Sequence, residues 1–168
     1  MSARARSCPC ATCCPPTSAE SASCPHRHRC GHGAHVRNLG GMSDISGLTV
    51  LGKTVQHPIE HVEVFSAPAN VTEVAFETEE LMSMCPVTNQ PDISGLTIEY
   101  VPDRFCVESK SLKLYLWGFR DRAVFAEALA AEIAAEIMHT AKPHRVRVEL
   151  VQQPRGGITV SAVAELSK

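Results

Sequence analysis

The first 41 residues contain one valine and one leucine, too little apolar surface to bury a core. This stretch is therefore expected to be disordered, or to be translated from a start codon upstream of the true one, with Met42 opening the domain. It also lacks the apolar central region of a secretory signal. Six of the eight cysteines crowd into it, leaving only Cys85 and Cys106 beyond residue 41, so the rest of the chain is no disulfide scaffold. That distribution suits a reducing, cytoplasmic setting. No apolar run approaches the roughly 18 residues of a membrane span. No G-x-G-x-x-G follows a strand pattern, so a nicotinamide cofactor here would not sit on a Rossmann unit.

The N-terminal stretch is rich in Cys and His: Cys24, His26, His28, Cys30, His32 and His35. Their spacing is C-x-H-x-H-x-C rather than paired C-x-x-C knuckles, and no hydrophobic residue is available to pack a finger. No metal site is expected. The stretch holds five arginines and one acid; the whole chain holds 16 Lys+Arg and 18 Asp+Glu, so the remainder carries 11 basic against 17 acidic residues. A body that acidic is a poor nucleic-acid binder, which needs many phosphate contacts.

Residues 42–168 have the length of one domain. Residues 42–60 read as an extended lead-in. Val71–Phe76 and Thr97–Val101 are strand candidates, the second closed by the turn Pro102-Asp103-Arg104. From Val107 to Phe119, apolar residues alternate at Leu112, Leu114 and Leu116, which reads as a strand running into helix or loop. Arg122–Thr140 is the clearest helix, capped by Asp121, with Phe125, Leu129, Ile133 and Ile137 as its apolar stripe and Lys142-Pro143 as its end. Arg145–Val151 alternates as a half-buried strand, Pro154–Gly157 is a turn, and Ile158–Ala164 a last strand. The fold class expected is α+β with an antiparallel sheet. Few aromatics and one main helix give a thin core, so the sheet is expected to bury its other face in an oligomer.

Cys85 lies in Met-Cys-Pro-Val-Thr-Asn-Gln-Pro-Asp, seven residues before Asp92, with two prolines stiffening the interval. A free cysteine is usually a small buried hydrophobe. A thiol held beside a carboxyl is also the minimum kit for adding sulfur to an electrophilic carbon and protonating the product. Only the thiolate attacks, and a nearby cation such as Lys110 or Arg155 would raise its fraction. Cys106 has no such partner and reads as structural. Lys110 and Lys113 stand among Ser109 and Ser111; as a strand, this stretch puts Ser109, Ser111 and Lys113 on one face and Glu108 and Lys110 on the other. It is either a solvated edge or a phosphate patch, seconded by Arg155 and the amides of its Gly-Gly turn. Glu127 falls off the apolar stripe, where most glutamates are solvated.

Cys85–Asp92, Val107-Glu-Ser-Lys-Ser-Leu-Lys-Leu-Tyr115 and Pro154-Arg-Gly-Gly-Ile158 together resemble the QueF family, the NADPH-dependent nitrile reductases of queuosine biosynthesis, over roughly Gly47 to Ala164. The resemblance implies a tunnelling fold: an antiparallel sheet with helices on one face, assembled into pentameric rings that pair into a decamer, with active sites between subunits and no metal. It implies that Cys85 attacks the nitrile of 7-cyano-7-deazaguanine to give a thioimide and that Asp92 supplies protons. NADPH is the implied reductant. Val107, Glu108, Ser109, Ala126 and Glu127 match substrate-contacting positions, and Lys110, Lys113, Arg155 and Gly156 match cofactor positions.

Two positions depart from the family pattern. Asn89 stands for a usual Gly, a mild change because Asn tolerates left-handed turns. Ala126 stands for a usual histidine and offers only a backbone contact. Either that histidine is dispensable, another group such as His139 replaces it, or the reaction differs. The alternatives are an amidine-forming transferase on 7-cyano-7-deazaguanine in tRNA, against which the intact Lys/Ser motif argues, and a non-catalytic ring-forming binding module.

Overall fold

The computed structural model describes residues 47–168; the expectations for residues 1–46 lie outside them. After an irregular lead-in come β1 (Val64–Ser66), β2 (Val74–Met84), β3 (Pro91–Val101), β4 (Phe105–Val107), α1 (Ser109–Trp117), α2 (Ala126–Thr140), β5 (Arg145–Arg155) and β6 (Ile158–Ser167). The fold is α+β. Four long strands form an antiparallel sheet in the order β2-β3-β5-β6, and β1 pairs with β4 in a separate two-stranded ribbon. No described helix is long and apolar enough to cross a membrane.

Strand alternation decides which sheet face is covered. In β3, Asp92, Ser94, Leu96, Ile98 and Tyr100 point inward. Leu96, Ile98 and Tyr100 stand opposite Leu150, Val148 and Val146 of β5, whose accessibility is zero. Both helices lie on this face, and Leu112, Tyr115, Leu129, Ile133 and Ile137 close over it in one core. Each such side chain contributes about 1.5–3 kcal/mol on full burial. The opposite face leaves Ile93, Val151 and Val163 exposed and carries the ion pairs of Arg147 with Glu99 and Glu149.

The structure moves several expected boundaries. The strand at Val71–Phe76 begins at Val74 and runs to Met84; its charged second half passes through a bulge between Thr78 and Leu81, which hid the alternation. The strand at Thr97–Val101 begins six residues earlier, at Pro91. The turn after β5 is tighter than Pro154–Gly157. Only Gly156 and Gly157 form it, with φ of 62° and 83°, as a two-residue hairpin with both central residues left-handed requires. The last strand extends through Ser167.

The main helix starts at Ala126 rather than Arg122, and Asp121 does not cap it. Arg122–Val124 is drawn beside β2 instead: Met84 N donates to Arg122 O (2.8 Å) and Val124 N to Met84 O (3.0 Å). Those two bonds hold the segment extended, and Phe125 becomes the N-cap, 55% exposed rather than part of the stripe. Leu129, Ile133 and Ile137 are buried as their spacing predicts.

The largest correction concerns the Ser/Lys stretch, which is helix α1 and not a strand. Glu108 supplies the reason: its side chain accepts from the amides of Lys110 (2.9 Å) and Ser111 (2.7 Å), capping the first turn. At helical spacing Ser109, Leu112, Lys113, Leu116, Trp117 and Arg120 share one side, facing β2 across a groove. Ser111 turns inward, donating to Glu108 O (2.7 Å) and accepting from Glu63 N (2.9 Å).

Candidate active site

β2 ends at Met84 because the Cys85–Gln90 loop reverses the chain into β3. Cys85 N donates to Gln90 O and Asn89 N to Cys85 O, both at 2.9 Å. Asn89 takes φ 53°, the left-handed turn for which Asn is suited. The loop thus fixes a buried thiol at its base. Four donors converge on that sulfur: the Thr88 hydroxyl first, then the amides of Thr88 and Val87, then the Arg155 guanidinium. Against the opposing effect of desolvation, they pull the thiol down to about 6 from 9.0. Cys85 is therefore largely thiolate near neutrality, whereas burial pushes Cys106 up.

Asp92, the second residue of β3, has a buried side chain with Oδ1 2.9 Å from Nη1 of Arg155. The same Nη1 lies 3.5 Å from Thr88 Oγ1. Arg155, the last residue of β5, thereby bridges thiol and carboxylate, with Gly156 beside it in the turn. β3–β5 pairing brings this residue, distant in sequence, to the loop. Thr88 stands within the Cys-Pro-Val-Thr motif yet was missed as a sulfur partner, because nothing local marks its hydroxyl as aimed back at Cys85.

The other expected positions lie elsewhere. Through the Met84–Val124 bond, the N-terminus of α2 approaches the Cys85 end of β2; Ala126 there is buried and Glu127 is exposed in the first turn. His139 occupies the last turn, 13 residues on, about 20 Å from Ala126 along the helix, so it does not fill the missing histidine's place within one chain.

Val107, Glu108 and Ser109 line a largely apolar groove of about 610 Å³ with Val74, Phe76 and Tyr100. Phe76, near the start of β2, and Cys85, just past its end, are nine residues apart, about 25–30 Å along an extended strand. One chain therefore keeps the Cys85–Arg155–Asp92 cluster well apart from the groove that holds the buried Glu108 carboxylate. Lys110 Nζ is directed at backbone carbonyls of Val50 and Lys53. Lys113 is exposed in the groove of about 500 Å³ along β2, joined by Arg120, which sequence reasoning did not single out. Among the described residues no cluster of His, Cys, Asp and Glu is arranged to hold a metal ion.

The family model described as QueF-like protein matches residues 91–168, which include Asp92, Glu108–Lys113, Glu127 and Arg155. The chain is 38% identical over 113 residues to the NADPH-dependent 7-cyano-7-deazaguanine reductase of Nitrosomonas europaea, covering 66% of this chain and 81% of that protein. The reductase of the same name from Syntrophus aciditrophicus is 38% identical over 127 residues, with 74% and 90% covered. That from Sinorhizobium medicae is 41% identical over 124 residues, with 70% and 80% covered. In fold, the chain is similar to the crystal structure of the archaeosine synthase QueF-Like in the apo form, with a TM-score of 0.54 and 24% identity, covering 57% of this chain and 94% of that one. On the match to these reductases, the chain belongs to the QueF-like family.

Proposed function

We propose that the chain reduces the nitrile of 7-cyano-7-deazaguanine to the aminomethyl group of 7-aminomethyl-7-deazaguanine with NADPH, in queuosine biosynthesis. The observation that carries this reading is the hydrogen-bonded Cys85 thiolate joined through Arg155 to Asp92. The Cys85 thiolate adds to the nitrile carbon while the nitrile nitrogen takes a proton that Asp92 relays from solvent, giving a thioimide. NADPH, when bound, supplies hydride to the thioimide carbon and again to the imine. After the first reduction the carbon–sulfur bond breaks, the electron pair returns to Cys85, and the thiolate cradle receives it. A second proton, relayed from solvent through Asp92, completes the amine. Two hydrides and two protons thus convert C≡N to CH2NH2. The unusually acidic thiol serves both steps, as a nucleophile at neutral pH and as a good leaving group.

The groove along β2 fits a phosphate-bearing cofactor on its helix side, where the Ser109 hydroxyl, Lys113 and Arg120 stand beside Trp117. Glu77 and Glu80 on the same groove disfavour phosphate near them, so Lys113 and Arg120 would hold it. The Gly156 amide and the outer side of Arg155 lie at the thiol end of the sheet. We assign the reaction to the cytoplasm, where an acidic free thiol stays reduced.

The two half-sites, cluster and groove, are too far apart for one small purine to touch both within a chain. We therefore assign the active site to an interface between copies in a ring-forming tunnelling fold, with pentameric rings pairing into a decamer. Val107, Glu108 and Ser109 of one copy would grip the base whose nitrile meets Cys85 of another, with Glu127 and the Ala126 backbone beside it. The exposed Ile93, Val151 and Val163 support burial of the uncovered sheet face.

The test is to mix the full chain with 7-cyano-7-deazaguanine and NADPH and follow nicotinamide absorbance. The expected result is two NADPH oxidised per nitrile, abolished in Cys85→Ala. No Cys85-dependent oxidation with a folded protein overturns the reading.

A further inference from the structure

Lys110 belongs to the motif whose lysines the family resemblance assigns to cofactor phosphates, yet its ammonium is already engaged. Nζ donates to Val50 O at 2.7 Å and to Lys53 O, 60 and 57 residues upstream. An ammonium has three donors, so at most one is left for a phosphate. The carbonyls it meets belong to a turn in which Lys53 N donates to Val50 O (3.2 Å) and Gly52 takes φ 75°. A second charged anchor holds the same segment from the other side. The Glu63 carboxylate accepts from Thr49 N (2.7 Å), Thr49 Oγ1 and Val50 N (3.3 Å). These bonds hold the Glu63 carboxyl below its usual range despite partial desolvation.

Between the anchors Val50 is buried, while Leu48 and Leu51 project into the groove that Val107, Glu108 and Ser109 line. We propose that Lys110 is a positioning residue. It clamps residues 49–53 as a strap, so that Leu48 and Leu51 form the outer apolar wall of the base-binding groove, and it does not carry cofactor phosphate. Lys110 is aimed at the strap and Lys113, three residues on, at the β2 groove. At helical spacing, two neighbouring lysines of one motif thus serve different ligands. The proposal rests on the reductase reading only for the identity of the base.

The experiment uses the full chain with Lys110→Met, Lys113→Met, Glu63→Gln and Leu51→Ala. Three quantities are measured: amide exchange at Thr49, Val50 and Lys53, calorimetric binding of 7-cyano-7-deazaguanine, and KM for NADPH. Loss of a charge-assisted hydrogen bond corresponds to about a tenfold change or more. Lys110→Met is expected to speed exchange in the strap about tenfold and weaken nitrile binding by a similar factor, with KM for NADPH within about twofold. Glu63→Gln should loosen the strap in the same way, and Leu51→Ala should weaken nitrile binding without faster exchange. Lys113→Met should raise KM for NADPH alone.

Unchanged strap exchange in Lys110→Met overturns the clamp, even if the chain reduces no nitrile. Faster exchange with unaltered nitrile binding overturns the wall. A raised KM for NADPH in Lys110→Met with an intact strap returns the residue to phosphate binding. If Lys110→Met does not fold, Glu63→Gln and Leu51→Ala decide by the same readouts.

Discussion

At the scale of single residues, reactivity is set by donors rather than by the cysteine itself. A thiol with an apparent pKa of about 6 is mostly protonated below that pH and mostly thiolate above it. Alkylation of Cys85 should therefore rise with pH through a midpoint near 6 and level off by neutrality, and iodoacetamide kinetics read by mass spectrometry check this. Thr88→Val removes the hydroxyl that contributes most, so its midpoint should move up toward the ordinary thiol range; an unmoved midpoint would show that Thr88 does not set the acidity. Arg155→Gln should also raise the midpoint, by less, because the guanidinium ranks below the Thr88 and Val87 donors. Cys85 and Asp92 were legible because seven residues and two prolines keep them together. The Arg155–Asp92 contact was not, because it depends on β3–β5 register and on the length of a hairpin.

At the scale of elements, α1 shows how one capping side chain overrides an apparent strand pattern. Leu112, Leu114 and Leu116 alternate, yet Glu108 captures two amides of the next turn, and helical burial follows at Ser111, Leu112, Leu114 and Tyr115. Ser111 is fully buried and ties α1 to the lead-in through Glu63 N. Ser111→Ala orphans that amide and should cost about 1–3 kcal/mol in a urea unfolding titration. Leu129→Ala opens a void under α2 and should cost about 2–5 kcal/mol in the same measurement. β5 was legible because Val146, Val148 and Leu150 alternate cleanly against charged neighbours. The start of α2 was not, since two long-range backbone bonds to Met84 outweigh the helix preference of Arg122 and Ala123.

At the scale of the whole molecule, Cys85 and the groove lined by Val107, Glu108 and Ser109 lie toward opposite ends of β2, so the proposed reaction would need assembly. Two inactive variants, Cys85→Ala and Glu108→Gln, should restore nitrile reduction when their subunits are mixed and reassembled, because some interfaces then combine two intact half-sites. No recovery from mixed oligomers of demonstrated composition would place the whole site in one subunit.

Intact-protein mass spectrometry of the full chain, incubated with 7-cyano-7-deazaguanine before and after NADPH is added, reads the bond between Cys85 and the nitrile carbon itself. An adduct of the nitrile's full mass is expected, absent in Cys85→Ala and discharged as the aminomethyl product when NADPH is supplied. A folded protein that turns over the nitrile without an adduct on Cys85, or an adduct that NADPH leaves unchanged, would contradict nitrile reduction through Cys85.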